Sequence, residues 1–446
     1  MNKKREFDVV IVGGGASGLA AAVELRMSSP ELSVLIIEKM AEPGRKLRAT
    51  GSGRCNITNI EAEGFERIMH FFSVIGLVTR RYSNGLVYPY SESASDVVNL
   101  LVERAEQLGC EFACSEEVIS LEKGTSSEKR FEIVSAFKEK GKERRVKTQA
   151  DYVILATGGK SGPNYGTTGD GYALARNMGH SIVTAVPALT GIECCEWNEF
   201  EEPDAHILAG TRTAGVVSLY KHQSGSVPKY DGPVFNGEYS NTEPIFLEEG
   251  EVQFTKYGLS GICIFNMTRH MRYDRKKGED ISDYYIKINL SPDVNIADYL
   301  FVIHQSAFAD TELKNAFCSL LKAPIAEYVC ELINHTADCM RLSFGKGRKF
   351  CDRAISELEL RDIRLICEVV HGLEFYPEKL RGWKDAQVTS GGVSTDEIDE
   401  ATSESKIVEG LYITGEVSDR DFPCGGFNLS NAWLSGLAAA DDISEK

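Results

Sequence analysis

The chain holds twelve cysteines but no Cys-x-x-Cys pair. Cys110 and Cys114 stand four apart and Cys194 and Cys195 are adjacent, spacings that build no zinc framework, so no metal is expected. Thiols scattered in this way point to a reducing compartment, and the expected location is cytoplasmic. No apolar run approaches the length that crosses a bilayer. The basic opening Met1 to Arg5 is not followed by a long apolar stretch and a small-residue cleavage site, so no signal peptide is expected. Cations are in short supply as well: 49 Lys and Arg face 66 Asp and Glu, a net charge of −17. That field repels nucleic-acid phosphates and anionic membranes, and neither is expected as a partner. The most basic stretch, Lys138 to Lys147, is interspersed with glutamates between strand-like segments and reads as a solvated hairpin tip. Repeats and low-complexity tracts are absent, and nothing points to an oligomeric state.

What is present fits a globular protein of two or three domains in 446 residues, with 42% hydrophobic and 26% charged residues. Phe7 to Val12 is a nearly continuous apolar run, the pattern of a buried parallel strand. Ala16 to Arg26 is rich in alanine and leucine and suits a helix lying close on a sheet; Leu32 to Ile37 is the next strand. Ala94 to Leu108 has helical spacing. Short alternating segments follow at Glu111–Ala113, Val118–Leu121, Phe131–Phe137 and Arg145–Thr148, then a second buried strand at Asp151–Ala156. From Pro187 to about Leu290 the texture changes to short strands broken by glycine, proline and asparagine, which suits a β-barrel or sandwich. Helical patterns occupy Ala297–Ser306, Glu312–Leu321, Ile325–Asn334 and Ala354–Val370. Strands return at Ala386–Val393 and Leu411–Thr414, and Gly426 to Asp442 reads as a terminal helix.

Gly13, Gly15 and Gly18 supply the G-x-G-x-x-G spacing, with Ala16 and Ser17 between the last two. The first glycine permits a tight turn, the second lets backbone approach a pyrophosphate, and the third lets helix pack on strand. Phosphates then face the free N–H groups of a helix N-terminus. The string alone is weak; here it follows a strand, opens a helix, and is answered by Glu38 twenty residues after Gly18, where a carboxylate can accept from ribose hydroxyls. An acid there repels a 2′-phosphate, which disfavours NADP at this site and leaves FAD and NAD.

The segment Gly44 to Asn59 reads G-R-K-L-R-A-T-G-S-G-R-C-N-I-T-N. Its cations Arg45, Lys46 and Arg54 suit phosphates or an anionic flavin, and glycines such as Gly53 allow close backbone approach. With Ala156-Thr157-Gly158-Gly159-Lys160-Ser161, Thr168 to Tyr172, Gly250 to Gly261, Gly391-Gly392-Val393 and Gly415-Glu416-Val417 through Gly425 to Leu429, it resembles the signatures of a bacterial flavoprotein family. That family includes the bile-acid-inducible reductase-like and aminoacetone-oxidase-like proteins, and the resemblance spans nearly the whole chain. It implies an α/β fold: a glutathione-reductase-like Rossmann FAD domain interrupted by an inserted β-barrel and a small helical domain. The expected boundaries are 1–190 and 386–446 for the FAD domain, 191–292 for the barrel, 293–345 for the helical part and 346–385 for the connection back. It further implies cofactor contacts from Lys39, Cys55, Asn56, Thr157, Gly158, Gly159, Gly415, Glu416, Gly426, Phe427, Asn428 and Leu429, and from the backbone of Val118 to the adenine.

FAD would supply the redox chemistry, with protein supplying binding, orientation and electrostatics. The expected activity is hydride transfer between flavin N5 and a small organic substrate, with NADH or NADPH as a transient electron donor. No second strand–glycine turn–helix unit offers such a donor its own Rossmann domain. Alternatives are an amine-type oxidase using O2, a flavin-dependent RNA-modifying or RNA-associated protein, and a redox sensor without turnover. Cys55 has no second cysteine between Arg45 and Ala94, so it reads as a small packed residue rather than a redox thiol. His180 reads as a structural cap. Lys256 and Tyr257 line the family's insert motif and are, with Cys55, the weak candidates for catalysis; the family's usual histidine is Lys256 here and its proline is Ile262, which weakens any transfer of substrate identity.

Overall fold

The first strand, Lys4–Val12, pairs in parallel with Val34–Glu38 on one side and with the end of Lys142–Leu155 on the other. A computed structural model describes residues 4–124, 129–139, 141–198, 203–222, 243–274, 277–342, 344 and 347–446. Residues 1–3 of the basic opening, Lys140 of the hairpin tip and residues 223–242 of the barrel stretch lie outside these. The described chain divides into two units, Met1–Pro187 with Trp383–Lys446, and Ala188–Gly382. No described helix is long and apolar enough to cross a membrane.

The first unit is built on a sheet to which both chain ends contribute. Its parallel core runs from Glu111–Cys114 through Val34–Glu38 and Lys4–Val12 to Val153–Leu155, with Leu411–Ile413 beside the last of these. Val9, Val10 and Ile11 are fully buried, as a strand covered on both faces requires. The segments at Arg145–Thr148 and Asp151–Ala156 are one strand, Lys142–Leu155, not two. Its first part pairs antiparallel with Phe131–Glu139, is exposed from Lys142 to Arg145 and alternates only from there to Thr148; its second enters the covered core and becomes continuously apolar. The change of period made one element look like two.

The first helix, Ala16–Ser28, lies against the terminal helix, Phe427–Glu445. Small residues permit the approach: a Cβ added to Gly436 would sit 2.4 Å from the carbonyl oxygen of Ser17. Trp433, fully buried, donates its indole N–H to Ile57 O at 2.9 Å, tying the terminal helix to the early chain.

The side chain of His180 is used away from the helix it follows, whose C-cap is Met178. Its Nδ1 lies 3.0 Å from Glu397 Oε2 and its Nε2 lies 2.9 Å from Ser405 Oγ. Ser405 Oγ already accepts from the N–H groups of Ile407 and Val408, so its own proton goes to the imidazole, which fits the neutral ring alone. Burial lowers the pKa of His180 below the ordinary 6.5, against the opposing pull of Glu397. The unfolded chain therefore takes up this proton first. Stability from the site is present above pH 6.5 and is lost as pH falls from there through the lower folded value. Thermal unfolding followed between about pH 7.5 and 5 should show this loss, and His180→Gln should flatten that part of the profile.

The second unit holds a seven-stranded sheet. In spatial order its strands are Leu373–Phe375, Tyr284–Asn289, Arg212–Lys221, Phe246–Phe254, Gly258–Ser260, Ile192–Cys194 and Pro377–Leu380. The two outer strands are separated in sequence by Tyr376 alone, so the sheet curls until its edges meet. Two strands that close it thus come from 346–385, which sequence reading had assigned to a connection. They were missed because each is only three or four residues long and one begins with Pro377. Phe375 centres the core, its ring 5.7 Å from Trp197, 5.9 Å from Phe254 and 6.4 Å from Tyr328. Helices Ile262–Thr268, Ile296–His304, Leu313–Phe317, Ala323–Cys339 and Leu360–His371 belong to the same unit. The last begins later than Ala354 because Asp362 accepts from the backbone N–H of Glu359 at 2.8 Å and so caps its start. The same carboxylate pairs with Arg353 at 2.9 Å, both side chains almost fully buried.

Candidate functional site

The turn after the first strand distinguishes three kinds of glycine. Gly13 has φ 108°, and a Cβ there would lie 2.5 Å from Ala156 O. A Cβ on Gly18 would lie 2.1 Å from Gly13 O. Both are demanded by the protein itself. Gly15 is not: a Cβ there would meet nothing nearer than Ala156 O at 3.9 Å, and its φ of −82° is open to any residue. The space beside Gly15 lies at the start of a helix with no side-chain cap, opening on Ala16 and Ser17, where free N–H groups are available to an anion.

Glu38 is pinned rather than solvated. One carboxylate oxygen accepts from Gly14 N and the other from Met40 N, each at 2.8 Å. The side chain is therefore fixed in the direction of the turn, with lone pairs left for further donors. Lys39 reaches Thr168 Oγ1 at 2.7 Å and pairs with Asp170. Val118 lies in Glu116–Lys123, where pairing shifts register between Val118 and Ser120; such an irregularity leaves backbone groups out of the ladder, as a ligand contacting backbone would need.

The loop from Gly51 to Cys55 is wound tightly. Gly51, Ser52, Gly53 and Cys55 all have left-handed φ, of 57°, 58°, 85° and 59°. Ser52 and Cys55 adopt it without being glycine, a strained conformation of the sort functional loops retain. Cys55 is fully buried, and burial pushes its thiol up to about 12, so it packs and does not serve as a thiolate at neutral pH. Arg54 lies over the ring of Tyr88 at 4.8 Å. Lys46 donates to Ser161 Oγ at 2.7 Å and pairs with Glu416 at 2.6 Å, and Glu416 also accepts from Ser161 Oγ and Thr389 N. Lys46 is thus committed within the protein, and the exposed Arg45 is the cation of this loop with no side-chain partner among the described residues.

Ser161 and Thr389 had not been assigned a role from sequence. Thr389 Oγ1 also accepts from the N–H groups of Lys160 and Ser161, at 2.7 and 3.1 Å, and orders the chain after Thr157-Gly158-Gly159. A Cβ on Gly159 would lie 2.3 Å from that hydroxyl. The one sequence signal was a small hydroxyl residue beside each glycine pair.

The carboxyl-terminal part closes the site. Gly415 takes φ 69° and donates to Ser435 Oγ at 2.9 Å. Gly425 and Gly426, with φ 120° and 98°, bring the chain to the terminal helix, which begins at Phe427 with no side-chain cap. Asn59 Nδ2 donates to Gly425 O at 3.2 Å and Thr58 Oγ1 meets Ser430 Oγ at 2.8 Å. The amide of Asn428 is used on the backbone of Phe422, at 3.0 and 2.7 Å, and so shapes the preceding loop; Leu429 is half-buried. Asn56 Oδ1, by contrast, is buried with no hydrogen-bond partner, and a Cβ on Gly426 would lie 3.0 Å from the same amide. An orphaned acceptor, an open cradle at Gly15 and two uncapped helix starts are what a bound flavin dinucleotide would satisfy.

Lys256 and Tyr257 belong to the second unit. They form a turn in which Thr255 N donates to Gly258 O at 2.8 Å. Lys256 is exposed, while the Tyr257 ring is covered by Arg381 at 4.5 Å, itself held by Glu193 at 2.9 Å.

Known proteins resemble this chain along nearly its whole length. The 3-dehydro-bile acid delta(4,6)-reductase of Clostridium scindens is 29% identical over 98% of both chains. The ribosomal RNA dihydrouridine synthases of Escherichia coli and Haemophilus influenzae are 26% and 25% identical, again over 98% of both chains. Among solved structures, E. coli quinol fumarate reductase FrdA aligns over 99% of this chain and 70% of its own at 16% identity, with a TM-score of 0.46. The HI0933-like protein Rossmann domain matches residues 7–67 and 64–442, so the chain belongs to the HI0933-like family and is an FAD-dependent oxidoreductase.

Proposed function

We propose that the chain reduces a carbon–carbon double bond conjugated to a carbonyl in a small organic substrate, taking electrons from NADH or NADPH. One observation carries the reading. Two relatives aligned over their full length, a bile-acid delta(4,6)-reductase and a dihydrouridine synthase, have unrelated substrates, yet their names describe the same bond change. Saturating such a bond requires a hydride at the carbon remote from the carbonyl and a proton at its neighbour. Bound FAD, once reduced, supplies the hydride at N5.

The residues divide the remaining work. The N–H groups around Gly15, with Arg45, would hold the pyrophosphate, and Glu38 the adenosine ribose. Asn56 Oδ1 and the N-terminus of the helix at Phe427 would face the flavin, where the positive end of the helix dipole favours negative charge. The Lys46–Glu416 pair, buttressed by Ser161 and Thr389, keeps the two chain ends in register beneath them.

Anaerobic mixing with NADH and NADPH should bleach the flavin absorbance, and a cyclic enone or dienone should restore it with formation of the saturated ketone. Bleaching without restoration by any enone, followed by rapid restoration by O2, would instead identify an oxidase. A second reading, reduction of uridine in RNA, is the chemistry that the names of the two dihydrouridine synthases state for those proteins, and the net charge of −17 opposes it here. Dihydrouridine formation in ribosomal RNA, with no turnover of small enones, is the result that selects it.

A further inference from the structure

The three-stranded sheet of the first unit carries a basic, aromatic face in an otherwise acidic chain. Its strands are Thr58–Asn59, Leu86–Pro89 and Thr79–Arg81. Arg80 and Tyr88 are cross-strand partners and share a face, and the period of two adds Tyr82 to it. Arg80 lies over the Tyr90 ring at 4.4 Å, Arg54 over Tyr88 at 4.8 Å, and Tyr82 packs edge-on to Tyr88 at 5.4 Å. The face is open: Tyr90 is 59% exposed, and Arg54 and Arg80 are exposed.

Among the described residues one glutamate answers its two arginines. Glu92 lies 3.9 Å from Arg80 and accepts from the Tyr82 hydroxyl; Arg54 has no carboxylate partner among the described residues. Arg80 also reaches the Tyr90 and Tyr82 side chains, and a guanidinium has five N–H donors, so those left over can engage a phosphate at two oxygens. The face also adjoins the cofactor loop: a Cβ on Gly51 would lie 3.4 Å from Tyr88 Cε1, and Thr58 and Asn59 of the same sheet bond the start of the terminal helix.

A nicotinamide nucleotide has no Rossmann turn of its own in this sequence, so it must dock on a surface within reach of the flavin. We propose that this face is that surface, and that it takes NADPH in preference to NADH. Arg80 and Arg54 receive the phosphates, and Tyr90 offers a ring on which a base stacks. The 2′-phosphate, a monoester of nearly two negative charges at neutral pH, is the group that tells the two nucleotides apart. The inference rests on the nicotinamide-linked reading above, and the test separates the two.

Titrating the FAD-loaded protein with 2′,5′-ADP and with 5′-AMP by calorimetry tests the site without any redox step. The wild type should bind 2′,5′-ADP more tightly, and Arg80→Gln should weaken it about ten- to thirtyfold while leaving FAD content and visible spectrum unchanged. Tyr90→Ala should weaken both ligands. In anaerobic reduction, Arg80→Gln should raise the apparent Kd for NADPH by the same factor and leave that for NADH within about twofold. Failure of 2′,5′-ADP to bind, equal loss for both nucleotides in Arg80→Gln, or loss of salt-sensitive RNA binding with NADPH unaffected would each overturn the proposal. If 2′,5′-ADP binds as expected while neither nucleotide bleaches the flavin, the site stands and the electron-donor reading falls.

Discussion

Replacing Gly15 with alanine should give a folded protein that binds FAD about ten- to a hundredfold more weakly. The new methyl meets no protein atom nearer than 3.9 Å and the backbone angle is ordinary, so stability should change by less than about 1 kcal/mol. The same methyl would occupy the space where the pyrophosphate approaches. Forcing a methyl into a packed contact costs roughly 1–3 kcal/mol, which is about ten- to a hundredfold in FAD affinity. Gly13→Ala should behave in the opposite order. Its methyl would press to 2.5 Å from Ala156 O at a φ of 108°, a combination worth roughly 2–6 kcal/mol of stability. Equilibrium dialysis of FAD beside denaturant unfolding separates the two, and equal destabilisation by both variants would show that Gly15 serves the fold.

The second large effect concerns the inserted unit. Asp362→Ala should destabilise it by about 3–5 kcal/mol, because Arg353 would be left buried with its charge unanswered. The loss is compounded by removal of the cap on Glu359 N, at about 1 kcal/mol. Arg353 lies over the rings of Phe344 and Phe350 at 4.6 and 5.3 Å, so it cannot simply swing into water. The double change Arg353→Met with Asp362→Leu should recover most of the loss, since a well-packed apolar pair replaces a buried ion pair at little cost. Unfolding followed by tryptophan fluorescence measures both; a single variant within about 1 kcal/mol of wild type would mean that the pair is not desolvated as it looks.

The parts of this protein readable from sequence are those where one residue type has one physical reason to be present. Gly13, Gly18 and Glu38 belong to that class: a turn, a helix–strand approach and a strand-end acid each leave a spacing behind. Cys55 was legible for a related reason, since a dithiol needs a partner and none was near. Pairings between distant residues left no such trace. Nothing in Lys46 announces that its ammonium meets Glu416, and nothing in His180 names Glu397 and Ser405, because those contacts depend on which strands lie side by side. The closing strands of the barrel failed for want of length. Leu373–Phe375 and Pro377–Leu380 carry too few residues to show a period, and only pairing with Tyr284–Asn289 and Ile192–Cys194 makes them strands.

The sheet of the first unit needs Leu411–Ile413, and its first helix needs Gly436 and its neighbours against it. On a ribosome these arrive after residues 188–382. While residues 188–382 emerge, the glycine turn at Gly13 has been made but lacks the terminal helix that covers it, so FAD has half a site to enter. The second unit, contiguous in the chain, is free to fold in that interval. Flavin loading therefore waits for residues 411–445, and the amino-terminal part must be kept from aggregating until they are released.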